Sequence, residues 1–166
     1  MPRSRTITDG RIFAEIQRLL DEGGDKAVSF ATVSAATGLA PPTLVQRYAS
    51  RDGMVRAARA AAWDRLAHVT QESIASTERK GPHALLKALS EADPARLIAD
   101  FRDPELAQRA AAWQATVESA LALRLGTGRQ AREGAALLFA AWQGQMMWAR
   151  AGEPAFKLKD VVKRLT

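Results

Sequence analysis

The sequence contains no cysteine. That absence excludes disulfide scaffolds, Cys-ligated zinc, iron–sulfur clusters and thiol nucleophiles together. Histidine occurs only at His68 and His83, and no acidic cluster keeps metal-ligand spacing, so no metal site and no cofactor are expected. Long apolar runs are missing too. Nothing approaches the ~18 residues a membrane-spanning helix needs. The basic opening MPRSRTITDGR leads into no apolar stretch of the kind that makes a secretory signal, so a cytoplasmic location is expected. Tyrosine occurs once and β-branched residues are sparse, whereas alanine fills about one position in five. A chain poor in strand formers and rich in the best helix former reads as all-α.

The 166 residues suffice for one domain, or for a small domain with a modest second one, and 47% hydrophobic residues supply a core. Lys and Arg number 24 against 18 Asp and Glu, a formal charge of +6 that favours an anionic partner without naming it. The excess is somewhat denser in residues 1–60, which hold nine basic and six acidic side chains.

Helical spacing begins with Ile12, Ile16, Leu19 and Leu20, and Gly23-Gly24 ends that segment. Ser29 is placed to cap a short helix over 30–37, Gly38 breaks it, and Pro41-Pro42 can sit only in the first turn of a third helix over 41–48. Ser50 and Asp52 open a long helix through Val55, Ala58, Ala62, Leu66 and Val69. Two weaker helices are expected over 83–91 and 94–101. Strong ones follow over about 104–125 and 129–150, and a short basic helix ends the chain. Gly126-Thr127-Gly128 lacks the preceding strand and the following Gly-Lys-Ser/Thr of a phosphate loop and reads as a turn.

The stretch from Phe30 to Tyr48 carries the functional signal. Two short helices joined by a glycine-containing turn make a helix-turn-helix, with Ser34 and Thr37 small enough for close approach and Val33, Leu39 and Leu44 locking the crossing. The second helix then presents Pro42, Thr43, Gln46 and Arg47 outward. Gln pairs bidentately with adenine, Arg with guanine, and Thr touches bases or phosphate. A plain corner between two bundle helices would show the same pattern.

The chain resembles the TetR (tetracycline-repressor-like) family of bacterial transcriptional regulators, in layout along its length and in motif over about residues 8–60. The resemblance rests on Ile12 through Leu20, Ser29, Val33-Ser34, Thr37-Gly38-Leu39-Ala40, Thr43-Leu44, Tyr48 and Ser50-Arg51-Asp52 leading to Met54-Val55. Val45 stands where the family prefers a tyrosine and cannot make that residue's phosphate contact, while Arg51 keeps the charge of the usual lysine. The resemblance implies an all-α fold: a three-helix DNA-binding domain over 1–50, joined by a long helix to a bundle over 51–166 for dimerisation and effector binding. The expected partners are double-stranded DNA with a dyad operator, a second copy of the chain and a small apolar or aromatic effector. The DNA-contacting set is Arg5, Thr32, Pro42, Thr43, Gln46, Arg47 and Arg51.

Residues 135–148 are apolar on nearly every face, more than a short chain can cover by itself, and this points to a second subunit. The resemblance agrees, since the family's last long helices build a two-fold four-helix interface. Leu121, Leu137, Leu138, Ala141, Gly144, Gln145 and Trp148 are the expected interface residues. Phe101, Trp113, Trp142 and Met146 are the expected effector contacts, with Arg109 or His83 as polar anchors, although aromatic residues at this spacing also build ordinary cores. Carboxylates such as Asp103 beside Arg102, and Asp100 near Arg96, read as solvated helix ends, and no catalytic constellation is expected. The alternative from another class is a helical small-molecule-binding protein or enzyme with a helix-turn-helix-like corner and no specific DNA binding.

Overall fold

The computed structural model describes residues 7–94, 101–149, 151–154 and 156–165. All regular structure among them is helical: α1 (Asp9–Gly23), a single 3-10 turn (Asp25–Ala27), α2 (Phe30–Thr37), α3 (Pro41–Tyr48), α4 (Arg51–Ser76), α5 (Pro82–Ser90), α6 (Pro104–Leu125), α7 (Gly128–Trp148) and α8 (Leu158–Leu165). The helix expected over 94–101 lies mostly outside the described residues, as do Arg5, Arg96 and Asp100. No described helix is long and apolar enough to cross a membrane.

Two compact units divide the chain at Ala62/Trp63, inside α4. In the first, α1 lays Ile12 and Ile16 against Val33 of α2 and Leu44 of α3, and Met54, Val55 and Ala58 from the start of α4 complete the core. Each helix end follows from a local signal. Ser29 and Thr32 form a reciprocal capping box at the head of α2, and Gly38 ends that helix in the left-handed region (φ 76°, ψ 7°) that a side chain disfavours. The Ser50 hydroxyl accepts the Gly53 N–H at 3.0 Å and caps α4.

In the second unit α6 and α7 form an antiparallel hairpin about Gly126-Thr127, and α8 packs on α7 and α5. Asp103, read from sequence as a solvated end, is the N-cap of α6. Its carboxylate accepts the N–H groups of Glu105 (3.0 Å) and Leu106 (3.3 Å). Leu85, Leu86 and Leu89 of α5 are buried, as are Leu106, Val117, Leu121, Leu138 and Trp142, and together they supply much of this unit's core. Arg124, its charge disfavoured by burial, ties α6 to α4 by donating to the carbonyl of Ile74 at 3.0 Å.

Candidate functional site

In the first unit the turn between α2 and α3 is fastened by side chains. The Ser34 hydroxyl donates to the Leu39 carbonyl at 2.6 Å, and the buried Thr37 hydroxyl to the Val33 carbonyl at 2.7 Å. These small residues therefore close the turn as well as leaving room for it. Leu44 points into the core, so Pro42, Val45 and Gln46 share the exposed face of α3, with Thr43 half-buried beside them. A helix face of this kind, held on a packed three-helix platform, can enter a major groove. Val45, set aside in the sequence for what it lacks, contributes an apolar surface at the centre of that face.

Of the cationic residues expected on DNA, Arg47 and Arg51 are occupied, and Arg5 lies outside the described residues. Arg47 Nη1 donates to Asp9 Oδ1 at 3.2 Å and to the Ile7 carbonyl at 3.3 Å, and the Tyr48 hydroxyl donates to the same Asp9 oxygen at 2.9 Å. Burial, reinforced by the Asp9 contact, pushes the Tyr48 phenol up to about 12. Arg51 is a clamp. Its Nε donates to the Val28 carbonyl (3.0 Å), Nη1 to Asp52 (2.8 Å), and Nη2 to the Asp25 carboxylate (2.7 Å) and also to the Asp25 carbonyl. The Asp25 contact is the main reason the Arg51 charge is held more firmly than usual. The guanidinium fork thus secures the turn between α1 and α2 to α4, a structural duty that differs from the phosphate contact expected of it. Thr32 is exposed, but its hydroxyl serves the capping box and donates to the Ala27 carbonyl at 2.9 Å.

The link between α3 and α4 is strained. Ala49 has φ 61° and ψ −44°, and the Ser50 N–H returns to the Tyr48 carbonyl at 2.6 Å. Those values describe a γ-turn of the positive-φ kind, a conformation that is rare without glycine. A Cβ on Gly53 would lie 2.4 Å from the Tyr48 carbonyl oxygen, so the following turn of α4 tolerates only glycine.

The second unit holds an aromatic cluster: Trp113 meets Trp63 (centroids 6.0 Å) and Trp142 (6.2 Å) at a tilt and Phe139 edge-to-face (5.8 Å). A cavity of about 540 Å³ opens beside it, lined by Trp63, Phe101, Trp113, Phe139, Gln143 and Met147 among others. A second of about 200 Å³ lies between α4 and α6, sharing Trp63 and Trp113 and adding Asp64, Thr70, Gln71 and Arg109. Of the expected effector contacts, Phe101 and Trp113 line the larger cavity and Arg109 the smaller. Trp142 is fully buried with its N–H on Ser90 (2.8 Å) and lines neither cavity, Met146 lines neither, and His83 is exposed on α5. Arg109 is committed to Asp64 and Glu105. Sequence reasoning missed Trp63 and Phe139. Trp63 falls in phase with Leu66 and Thr70 on the inward side of α4, and that register was the available signal.

Among the expected interface residues, Leu121 and Leu138 have 0% exposure and no surface left for a partner, because they pack inside the protomer. The chain also covers part of α7 itself: Gly134 faces Leu125 and Leu165, and Gln145 donates to the Phe156 carbonyl at 2.8 Å. Leu137 and Trp148 remain exposed, as do Leu123 and Met147, which were not foreseen. A Cβ on Gly144 would meet nothing within 4 Å among the described residues, so none of their packing requires that glycine. Ala141, Gly144, Gln145 and Trp148 instead line an open groove of about 540 Å³ with Phe156.

No family model matches the chain, and no curated protein matches it. Solved structures do. A protein of Streptomyces coelicolor A3(2) described as a transcriptional regulator is similar with a TM-score of 0.65 at 14% identity, over 94% of both chains. A protein of a Rhodococcus species described as a TetR-family transcriptional regulator gives 0.60 at 18% identity, over 95% of this chain and 93% of that one. The TetR-family transcriptional regulator PfmR of Thermus thermophilus gives 0.56 at 18% identity, over 93% of both. The chain has the fold of these regulators along nearly its whole length.

Proposed function

We propose that this chain is a sequence-specific DNA-binding transcriptional regulator of the TetR type, a cytoplasmic homodimeric repressor that leaves a palindromic operator when a small apolar or aromatic effector binds. The observation that carries the reading is the exposed face of α3, with Gln46 displayed and Thr43 half-buried beside it on a capped and packed helix-turn-helix. Gln46 is the base reader, through the paired contacts glutamine makes with adenine. Arg47 joins it by exchanging Asp9 for DNA. The Asp9 side chain is well exposed, so that ion pair is worth only about 0–1 kcal/mol and yields readily to a phosphate or a guanine. Arg3 and Arg5 supply much of the positive excess of residues 1–60 and serve the phosphates in place of Arg51.

Residues 1–50 are then the DNA-binding part and 51–166 the effector and dimerisation part, with α4 common to both units. The reading assigns no catalysis. A dimer grips both half-sites only when its recognition helices lie about 34–36 Å apart. An effector beside Trp63, on α4, that fits another spacing better must weaken DNA binding by reciprocity.

Selection of bound duplexes from random sequence by the full chain tests this. The expected product is an inverted repeat with half-sites about 10–10.5 base pairs apart, or a multiple of that. Recovery of no preferred sequence would overturn the reading.

A further inference from the structure

Large apolar side chains of the first unit are buried or half-buried, with one exception among the described residues. Val45 is 44% exposed. The core needs nothing from it, because Leu44 beside it already fills the inward position of α3. A lone exposed apolar residue is ordinary on a protein surface. What sets Val45 apart is its place, between Pro42 and Gln46 on the exposed face of the helix read as entering the major groove.

The chemistry of that side chain restricts what it can touch there. Valine has neither a donor nor an acceptor, so it can serve no phosphate oxygen and no hydrogen-bonding edge of a base. Among the four bases only thymine presents an apolar group in the major groove, its C5-methyl. No residue of α3 is acidic, so the helix itself brings no carboxylate against the phosphates as this face approaches the bases. Distance then fixes the register. A helix rises about 1.5 Å per residue and bases are spaced about 3.4 Å along a strand, so the contacts of the adjacent Val45 and Gln46 fall within about two base pairs of each other.

We propose that Val45 is a specificity-determining residue that packs on a thymine C5-methyl in each half-site, within about two base pairs of the adenine read by Gln46. The inference rests on the reading of the chain as a DNA-binding regulator, and names a feature of the operator that it selects.

The duplex that the full chain selects from random sequence provides the test. Each thymine is replaced in turn by uracil, in both half-sites at once, which removes the methyl and leaves every hydrogen-bonding group in place. Affinities are measured by fluorescence anisotropy at one fixed salt concentration. At one thymine position the uracil duplex is expected to bind about fifteenfold more weakly, about fourfold for each half-site, the worth of one buried methyl-sized group. Val45→Ser changes an exposed position to a residue of similar helix preference, so it should fold as the parent does and bind the thymine and uracil duplexes alike. Thr43→Ser, which removes the neighbouring methyl group, should keep the difference. A selected half-site without an A·T pair, indifference to uracil at every position, a sensitivity that survives in Val45→Ser, or one that vanishes in Thr43→Ser would each overturn the proposal. If Val45→Ser fails to fold, the uracil scans of the parent chain and of Thr43→Ser decide. A chain that selects an inverted repeat yet is indifferent to uracil sinks this inference alone, whereas recovery of no preferred sequence sinks the regulator reading and this inference with it.

Discussion

Arg51 separates a structural role from a DNA-contacting one, and its replacement by alanine tests which applies. The side chain donates to two backbone carbonyls, Val28 and Asp25, and to the carboxylates of Asp25 and Asp52. The two ion pairs are partly exposed, so together they contribute little, about 0–1 kcal/mol each. The carbonyls weigh more. Val28 is buried, and its carbonyl would lose a charged donor with little access to water, at a cost of about 1–3 kcal/mol. The expected total is about 2 kcal/mol, which at a urea dependence of roughly 1–3 kcal/mol per molar lowers the unfolding midpoint by about 1 M. Arg51→Lys should recover only part of this, since an ammonium cannot reproduce the fork. Urea melts of the full chain followed by far-UV circular dichroism measure the shift. Binding to a non-specific duplex at several salt concentrations, under conditions where each variant is folded, measures the other role. An alanine variant with an unmoved midpoint and a salt slope reduced by about one would show that Arg51 is a phosphate ligand and no clamp.

Ala49→Gly should stabilise the first unit. Relief of the positive-φ γ-turn is worth about 1–3 kcal/mol, and the added freedom of the unfolded chain takes back about 0.4–1 kcal/mol, leaving a net gain near 1 kcal/mol and a Tm higher by a few degrees; a lower Tm in a thermal melt contradicts this. Tyr48 is the sole tyrosine, so phenolate absorbance against pH reads it alone and should give about 12. Because that value lies above the unfolded value of about 10, the stability linked to the Tyr48 proton is complete below pH ~10 and is lost as pH rises toward 12. Asp9→Asn should bring the titration down only partway, since burial is the larger cause, and a midpoint near 10 in the parent chain would remove the argument. Leu137→Glu changes a residue exposed in the protomer, so melts should move by less than about 0.5 kcal/mol if the chain is monomeric. In the proposed dimer the buried charge costs several kcal/mol, and sedimentation should report monomers; a variant that remains dimeric places the interface elsewhere.

Helix ends were legible because their causes are local. Ser29 three residues before Thr32, Gly38 after a short apolar run and Pro41-Pro42 each act within one turn, and the helices begin and end beside them. The partners of Arg47 and Arg51 were not legible. Asp9 and Asp25 lie 38 and 26 residues earlier, and which arginine meets which carboxylate depends on how three helices pack. An exposed-looking cation in a short basic motif carries no mark that it is already spent.

The same limit explains the error on the last two long helices. A step of one residue turns a helix by about 100°, so neighbours in sequence face different surroundings. Leu137 and Leu138 adjoin, yet one is exposed and the other fully buried; Leu121 is buried and Leu123 is 82% exposed. On a helix apolar all round, composition announces that several faces will be covered, but not by what. Here the chain's own α5 and α8 cover some of them, which buries Leu121 and Leu138 and leaves Leu123, Leu137, Met147 and Trp148 exposed. Trp63 follows the opposite logic. Its burial could be read from helical phase, but its idle N–H became visible only beside two tryptophans that have found a hydroxyl. The sequence therefore reaches the architecture through caps and periodicity, whereas the buried polar atoms that packing leaves without a partner among the described residues, Trp63 Nε1 and Arg109 Nε among them, show only in the folded chain.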